Sequence, residues 1–343
     1  MRFPIRQCGF IAPILALAAF AGIGLLAPHT TAAQTFTPRI GNCTINDAVH
    51  RHIEVLRDEL DKQSNGRIKG ELFINCQLGN IARQVEGVQL GTQDFFTIPP
   101  GNLVGVDPRY SVTDVPGIFQ SFAHAHASIN HPGFYDKYAQ IGRDKGLYTV
   151  SLWQSGQTAY LTLKPLRTIE EFKGLKFRVL ATKFETELMS RYGATGVPIP
   201  FPEIVPSLMS KMIDGARTAP LVMASAKMYT AAKYATMTGD TYIPIITFAS
   251  TQWMQKLPAD LRELVLKVSS QVKDRGLQMA IADQDAAMKS LAENGVELIR
   301  LSPEQQAEWM RRARQASDDY FGNEPNMKDL YAALKEAAEK TRN

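Results

Sequence analysis

Arg178, near the end of Phe172-Lys173-Gly174-Leu175-Lys176-Phe177-Arg178-Val179, is the residue whose type and place could do the most chemistry. Gly174 makes a turn, the alternation after it reads as a strand, and open α/β sheets bind ligands at the carboxyl ends of their strands. Arg178 is therefore a candidate clamp for a carboxylate, with a structural ion pair to Glu187 or Glu203 as the alternative. Cys43 and Cys76 form a second candidate pair. The first follows an extended segment, 37–41, and the second follows the strand-like Gly70-Glu71-Leu72-Phe73-Ile74. Two adjacent parallel strands would bring both to one rim of a sheet. A disulfide is expected; two buried thiols or a metal pair are the alternatives, the latter lacking His or Cys at ligand spacing nearby. His124 and His126 would share a face on a strand, but the surrounding Ala and Ser favour a helix, where positions two apart diverge. A solvated helix ahead of Pro132-Gly133, with His131 at its end, is expected rather than a metal site. The chain has no Gly-x-Ser-x-Gly elbow, phosphate loop, His-Glu-x-x-His helix or dinucleotide fingerprint. No enzyme, cofactor or metal is expected on that ground.

The elements that must position these residues alternate strand and helix. Residues 48–62 carry Val49, Ile53, Leu56 and Leu60 at helical spacing, closed by the polar turn Gln63-Ser64-Asn65-Gly66. A shorter helix over 83–90 ends at Gly91, a strand follows over 94–98, and Pro99-Pro100-Gly101 breaks it. Strands over 148–153 and 159–163 flank Gln154-Ser155-Gly156-Gln157, and a helix over 184–192 ends at Gly193. Residues 261–292 contain no proline and read as one or two long helices. Ser302 is expected to cap the next helix and Asn326 the last. This is an α/β pattern with a mostly parallel sheet. Asn80, Thr97, Pro99 and Trp153 fall at strand or helix ends and are rim candidates for a ligand site.

The N-terminus carries Arg2 and Arg6, an apolar run from Gly9 to Pro28, and Thr31-Ala32-Ala33 before Gln34. That order fits an export signal over 1–33 cleaved near Ala33, and Pro13 and Pro28 argue against a retained membrane anchor. Cys8 precedes the apolar run and so is not a lipoprotein cysteine. Removing Arg2 and Arg6 from the 38 basic residues leaves 36 against 34 acidic, about +2. With basic residues scattered and no aromatic-interleaved patch, nucleic acid is not an expected partner. At 45% hydrophobic and 21% charged, the chain has the means to build a full core.

The segment from Lys164-Pro165 through Lys173-Gly174-Leu175-Lys176-Phe177-Arg178 to Asp214-Gly215 resembles the solute-binding proteins of tripartite ATP-independent periplasmic (TRAP) transporters. Ser64-Asn65-Gly66-Arg67, Gln77-Leu78-Gly79 and Val88-Gln89-Leu90-Gly91-Thr92-Gln93-Asp94 agree in order and spacing. The resemblance implies a two-lobed periplasmic binding fold, with inter-lobe crossings and a long bridging helix. Lobe I would take 34–154 plus 245–283 and lobe II 155–244 plus 284–343, with a ligand in the hinged cleft. It implies a bidentate carboxylate-binding role for Arg178 and a cleft-lining one for Phe201. Two departures follow from the same comparison. Where relatives that take sialic acid have a second arginine, this chain has Thr158. Where they continue Asp-Gly with Glu-Asn-Pro, this chain has Ala216-Arg217-Thr218, so a polar contact falls on Thr218. Arg217 would either restore positive charge to the cleft or lie solvated on the surface.

The resemblance thus implies a periplasmic, monomeric receptor that hands an organic acid to the transporter's membrane subunits. Trp153 and Phe201, with the thinned polar set, favour a monocarboxylate with an apolar or aromatic body. A ligand sensor for a signalling receptor needs the same closable cleft, and an exported hydrolase with dispersed residues is the rival from another class.

Overall fold

The computed structural model describes residues 34–180 and 182–342; the leader features, including Arg2, Arg6, Cys8 and the cleavage-like Thr31-Ala32-Ala33, lie outside the described residues. Eleven strands are present among the described residues: β1 (Arg39–Asn42), β2 (Glu71–Phe73), β3 (Phe95–Ile98), β4 (Leu147–Gln157), β5 (Ala159–Thr162), β6 (Lys176–Val179), β7 (Thr195–Pro198), β8 (Gly215–Thr218), β9 (Tyr234–Met237), β10 (Tyr242–Ser250) and β11 (Glu297–Arg300). They form two sheets, ordered β2-β1-β3-β10-β4 and β11-β9-β5-β8-β6-β7.

Both sheets are mixed, which corrects the expectation of a mostly parallel one. In the first, β1 runs parallel to β2 and β3, but β10 is antiparallel to β3 and β4. In the second, β5 is antiparallel to both β8 and β9, whereas β6 is parallel to β7 and β8. The antiparallel strands are those next to the places where the chain changes sheet. β4 passes into β5 with only Thr158 between them, and β9 passes back to β10 through 238–241. The two crossings are tied together: the Thr158 amide donates to the Thr241 carbonyl at 2.9 Å, and the Gly239 amide to the Thr158 carbonyl at 3.0 Å.

The helices follow the sequence pattern closely. Helix Ala48–Gln63 buries Val49, Ile53, Leu56 and Leu60, with Asp47 as its N-cap. The long proline-free segment is a single helix, Ala259–Glu293, that packs on β4 and on helix Ala48–Gln63 of the first sheet and on helix Pro220–Ser225 beside the second. Ser302 closes a capping box with Gln305. Two expectations are corrected. Gln154-Ser155-Gly156-Gln157 is not a linker: β4 continues through it, because β10 supplies partners as far as Gln157. Asn326 does not cap the last helix, Lys328–Lys340, where Met327 occupies that position without a side-chain bond. The histidine region is helical, Phe122–Ile129, but His124 is buried rather than solvated, its Nε2 lying 2.8 Å from the Ala338 carbonyl. His126 meets Asp274 of the long helix at 2.9 Å, and His131 caps helix Pro132–Tyr138. No helix among the described residues is long and apolar enough to cross a membrane.

Cys43 and Cys76 form a disulfide with their Cα atoms 4.3 Å apart. The parallel β1/β2 pair sets this up, since each cysteine follows its strand at the same end. The bond closes a loop of 33 residues, worth roughly 3–4 kcal/mol on the chain-entropy account. Replacing both cysteines with serine is expected to lower the unfolding free energy by about that amount, read by denaturant titration under oxidising conditions. Free thiols at both positions in the oxidised native protein, read by mass, would contradict the pairing.

Candidate functional site

The alternation of β6 sends Phe177 to one face and Arg178 to the other. Phe177 stacks on Phe172, ring centroids 4.6 Å apart, in an aromatic cluster with Tyr160, Tyr192 and Trp309. The turn before the strand has Gly174 at φ +78°, a left-handed conformation that glycine adopts without strain. Arg178 is thereby carried to a cavity of about 90 Å3 lined from both sheets and largely apolar. Its side chain is 7% exposed, and its Nε donates to the Ile199 carbonyl at 3.1 Å. Among the described residues its guanidinium forms no salt bridge. The alternative pair with Glu187 is not made, because Glu187 meets Arg191 at 2.9 Å, and none is made with Glu203. Burial lowers the Arg178 pKa to about 10, against the pull of Glu185, so the group stays cationic at neutral pH.

Arg217, on neighbouring β8, also lines the cavity, yet its surroundings are opposite in kind. Its Nη1 pairs with Glu185, its Nη2 donates to Thr241 Oγ1 at 2.6 Å, and Asp240 lies 3.8 Å away. Burial disfavours the charge, but Glu185 and Asp240 outweigh it and hold the pKa above its ordinary value. The network extends further: Asp240 accepts from Thr158 Oγ1 and, at 3.1 Å, from Trp309 Nε1. Arg217 is thus neither a surface residue nor a free cation.

The other residues singled out in the sequence divide in two. Phe201, Thr218, Thr158, Thr97 and Pro99 line the same cavity as Arg178. The Thr158 hydroxyl is engaged with Asp240, and that of Thr97 lies 3.1 Å from Thr247 Oγ1. Trp153 and Asn80 are not brought there. Trp153 is fully buried behind the cavity lining, clustered with Val49, Ile245 and Ala280 and stacked on His52 with ring centroids 4.8 Å apart. Gly276 of the long helix admits it: a Cβ there would sit 2.9 Å from the indole. Asn80 caps helix Ile81–Leu90, its Oδ1 accepting from the Arg83 amide at 2.9 Å, and only its neighbour Ile81 reaches the cavity.

Asp47, Asp114 and Glu185 also line the cavity and escaped the sequence reading. Asp47 sits just before an apolar-periodic run, a signal that names a helix cap. Asp114 had no signal. It is 3% exposed and its carboxyl has no hydrogen-bond partner among the described residues. Burial, and then the charge of Glu185, push its pKa up to about 7, with Arg217 pulling the other way. A carboxyl held above its ordinary 3.8 stabilises the fold while protonated, fully below pH about 4, and loses that contribution as pH rises through about 7. The contribution is expected to appear as a difference, on the order of a few kcal/mol across this window, between the unfolding titrations of wild type and Asp114→Asn, because buried His52, its pKa lowered to about 3, acts in the opposite direction in both proteins. Parallel profiles for the two proteins would contradict the assignment.

Comparison with known proteins covers most of the described length. The family model described as bacterial extracellular solute-binding protein, family 7, matches residues 42–323. The 2,3-diketo-L-gulonate-binding periplasmic protein of Escherichia coli K12 is 26% identical over 281 residues, 81% of this chain and 85% of that protein. A TRAP periplasmic solute binding protein of Xanthobacter autotrophicus Py2, solved with bound β-D-galacturonate, superposes with a TM-score of 0.80 at 26% identity, covering 87% of this chain and 99% of that one. One from Desulfovibrio salexigens, with bound orotic acid, reaches 0.85 at 20% identity over 90% of this chain and 100% of that one.

Proposed function

This chain belongs to the bacterial extracellular solute-binding proteins of family 7, and on that premise we propose that its cavity captures an organic acid anion through Arg178. It is a periplasmic binding protein of the TRAP type, whose partners are a small organic acid and the transporter's membrane subunits. One observation carries the ligand reading: Arg178 is buried, cationic and, among the described residues, without a salt bridge, on the wall of a cavity. An unpaired buried charge is costly to keep, and a carboxylate arriving from solution removes that cost. The ligands named for the three related proteins, 2,3-diketo-L-gulonate, galacturonate and orotic acid, are all carboxylic acids.

In this reading the planar guanidinium holds the carboxylate with its two Nη groups while Nε stays on the Ile199 carbonyl. Phe201, with Ile98, Leu180 and Val222, packs the ligand body, and Thr218 offers a hydroxyl. Thr97, Pro99 and Thr158 shape the wall. The lobes are 34–154 with 245–283 and 155–244 with 284–343; sheet crossings at Thr158 and 238–241, close to the first two of the three boundaries, support the division, and the third lies within the helix Ala259–Glu293. Export is completed by cleavage near Ala33.

The test is a thermal-shift screen of the mature protein against aliphatic and aromatic monocarboxylates, dicarboxylates and sugar acids, each beside its uncharged amide. A ligand at 100 times its dissociation constant adds about 2.7 kcal/mol of stability. Stabilisation by one class of acid and not by its amides is expected. Equal stabilisation by acid and amide would remove Arg178 from the account.

A further inference from the structure

We infer that the ligand carries hydroxyl or ammonium donors in addition to its carboxylate, and that Asp114 and Asp47 receive them. This rests on the carboxylate reading above and adds a second recognition element to the same cavity. Two observations support it.

The first is hydrogen bonding. Asp47 uses Oδ1 for the His50 amide at 2.9 Å and for the Thr44 hydroxyl at 2.9 Å, leaving Oδ2 buried without a hydrogen-bond partner among the described residues. Asp114 Oδ2 is likewise buried and unpartnered among the described residues. Both residues line the cavity and both are at least nine-tenths buried, at 2% and 3% exposure. Buried acceptors are ordinarily satisfied, and two left open on one ligand cavity point to donors that come with the ligand.

The second is charge. The ionisable groups on the cavity wall are Arg178, Arg217, Asp47, Asp114 and Glu185. Arg217 and Glu185 neutralise each other, so Arg178 remains against two acids. A second carboxylate on the ligand would find no free cation and would approach Asp47 or Asp114. A hydroxyl is compatible with these acids, and an ammonium is attracted to them. Burial raises both carboxyls above their ordinary values, against the His50 and Thr44 hydrogen bonds at Asp47 and the charge of Arg217 at Asp114. The charged groups that bear on Asp114 are Glu185, Arg217 and Asp240, and on Asp47, His50.

The experiment measures dissociation constants calorimetrically for two matched series. One is butanoate, 3,4-dihydroxybutanoate, 4-aminobutanoate and succinate; the other is hexanoate, gluconate, 6-aminohexanoate and adipate. The proteins are wild type, Asp47→Asn and Asp114→Asn, each checked for native melting. Asn serves as well as Asp at a helix N-cap, so Asp47→Asn keeps the fold. At least one donor-bearing acid is expected to bind tenfold or more tighter than its plain acid and its dicarboxylate. That preference, taken as the ratio to the plain acid measured on the same protein, is expected to fall about tenfold in one or both Asn variants. The hydroxy and amino arms distinguish the two donor types. A plain acid or dicarboxylate binding as tightly as the donor-bearing probes, or a preference that survives both substitutions, would overturn this inference alone. Binding by none of the eight would overturn the carboxylate reading and this inference with it.

Discussion

Arg178→Ala is expected to weaken binding of the acid by about 30-fold to several thousand-fold, the range for deleting one partner of a buried, hydrogen-bonded charge pair at about 2–5 kcal/mol. The same substitution is expected to leave the ligand-free protein as stable as wild type, or more so. Among the described residues its side chain makes one hydrogen bond, from Nε to the Ile199 carbonyl, and the charge that disappears is a buried one that forms no salt bridge, Glu185 acting on it only at longer range. Arg178→Lys keeps the charge but not the two-pronged fork, so it should fall between wild type and alanine. Calorimetric titration and a melting curve on each variant check both halves. Wild-type affinity in Arg178→Ala would remove the clamp. A large loss of ligand-free stability would make Arg178 a structural residue instead.

Arg217→Met is expected to do the reverse and to destabilise the fold by about 3–5 kcal/mol. It removes one member of a buried ion pair and leaves Glu185 and Asp240 uncompensated. The loss also reaches Thr158, through Asp240, at the point where the chain passes from one sheet to the other. Adding Glu185→Gln to Arg217→Met should recover part of the loss, because the orphaned acid is then neutral. Denaturant unfolding of the single and double variants gives the coupling directly. A single variant within about 0.5 kcal/mol of wild type would show that the network is not holding the crossing. Two arginines one strand apart on the same cavity wall are thus assigned opposite work.

The difference between these arginines could not be read from the sequence, and the reason is distance along the chain. Arg178 was legible because its strand is local: a glycine turn, period-two alternation and a position at the strand's end are all contained in eight residues. The environment of Arg217 depends on Glu185, 32 residues away, and on Asp240 in a different loop. No local pattern announces either. Asp114 is more opaque still, since its importance lies in what it lacks. The helical run within Ala259–Glu293, the stripe of Ala48–Gln63 and the Ser302 cap were legible for the same local reason as Arg178, though not that the long run is one helix rather than two. Gln154-Ser155-Gly156-Gln157 misled because a polar, glycine-containing stretch reads as a turn; only pairing with β10, some 90 residues on, makes it a strand. Trp153 misled by its depth. A place near a strand's end does not say how far the ring lies from a cavity, and Gly276 on the distant long helix makes room for the indole in the core beside Val49 and Ile245.

The crystal structure of the mature protein with the acid selected in the thermal-shift screen tests the central claim most directly. The account predicts both carboxylate oxygens within about 3 Å of the Arg178 Nη atoms, with Arg217 still paired to Glu185. A ligand whose carboxylate lies on another group, or an Arg178 that turns to a protein acid when the cavity fills, would contradict it.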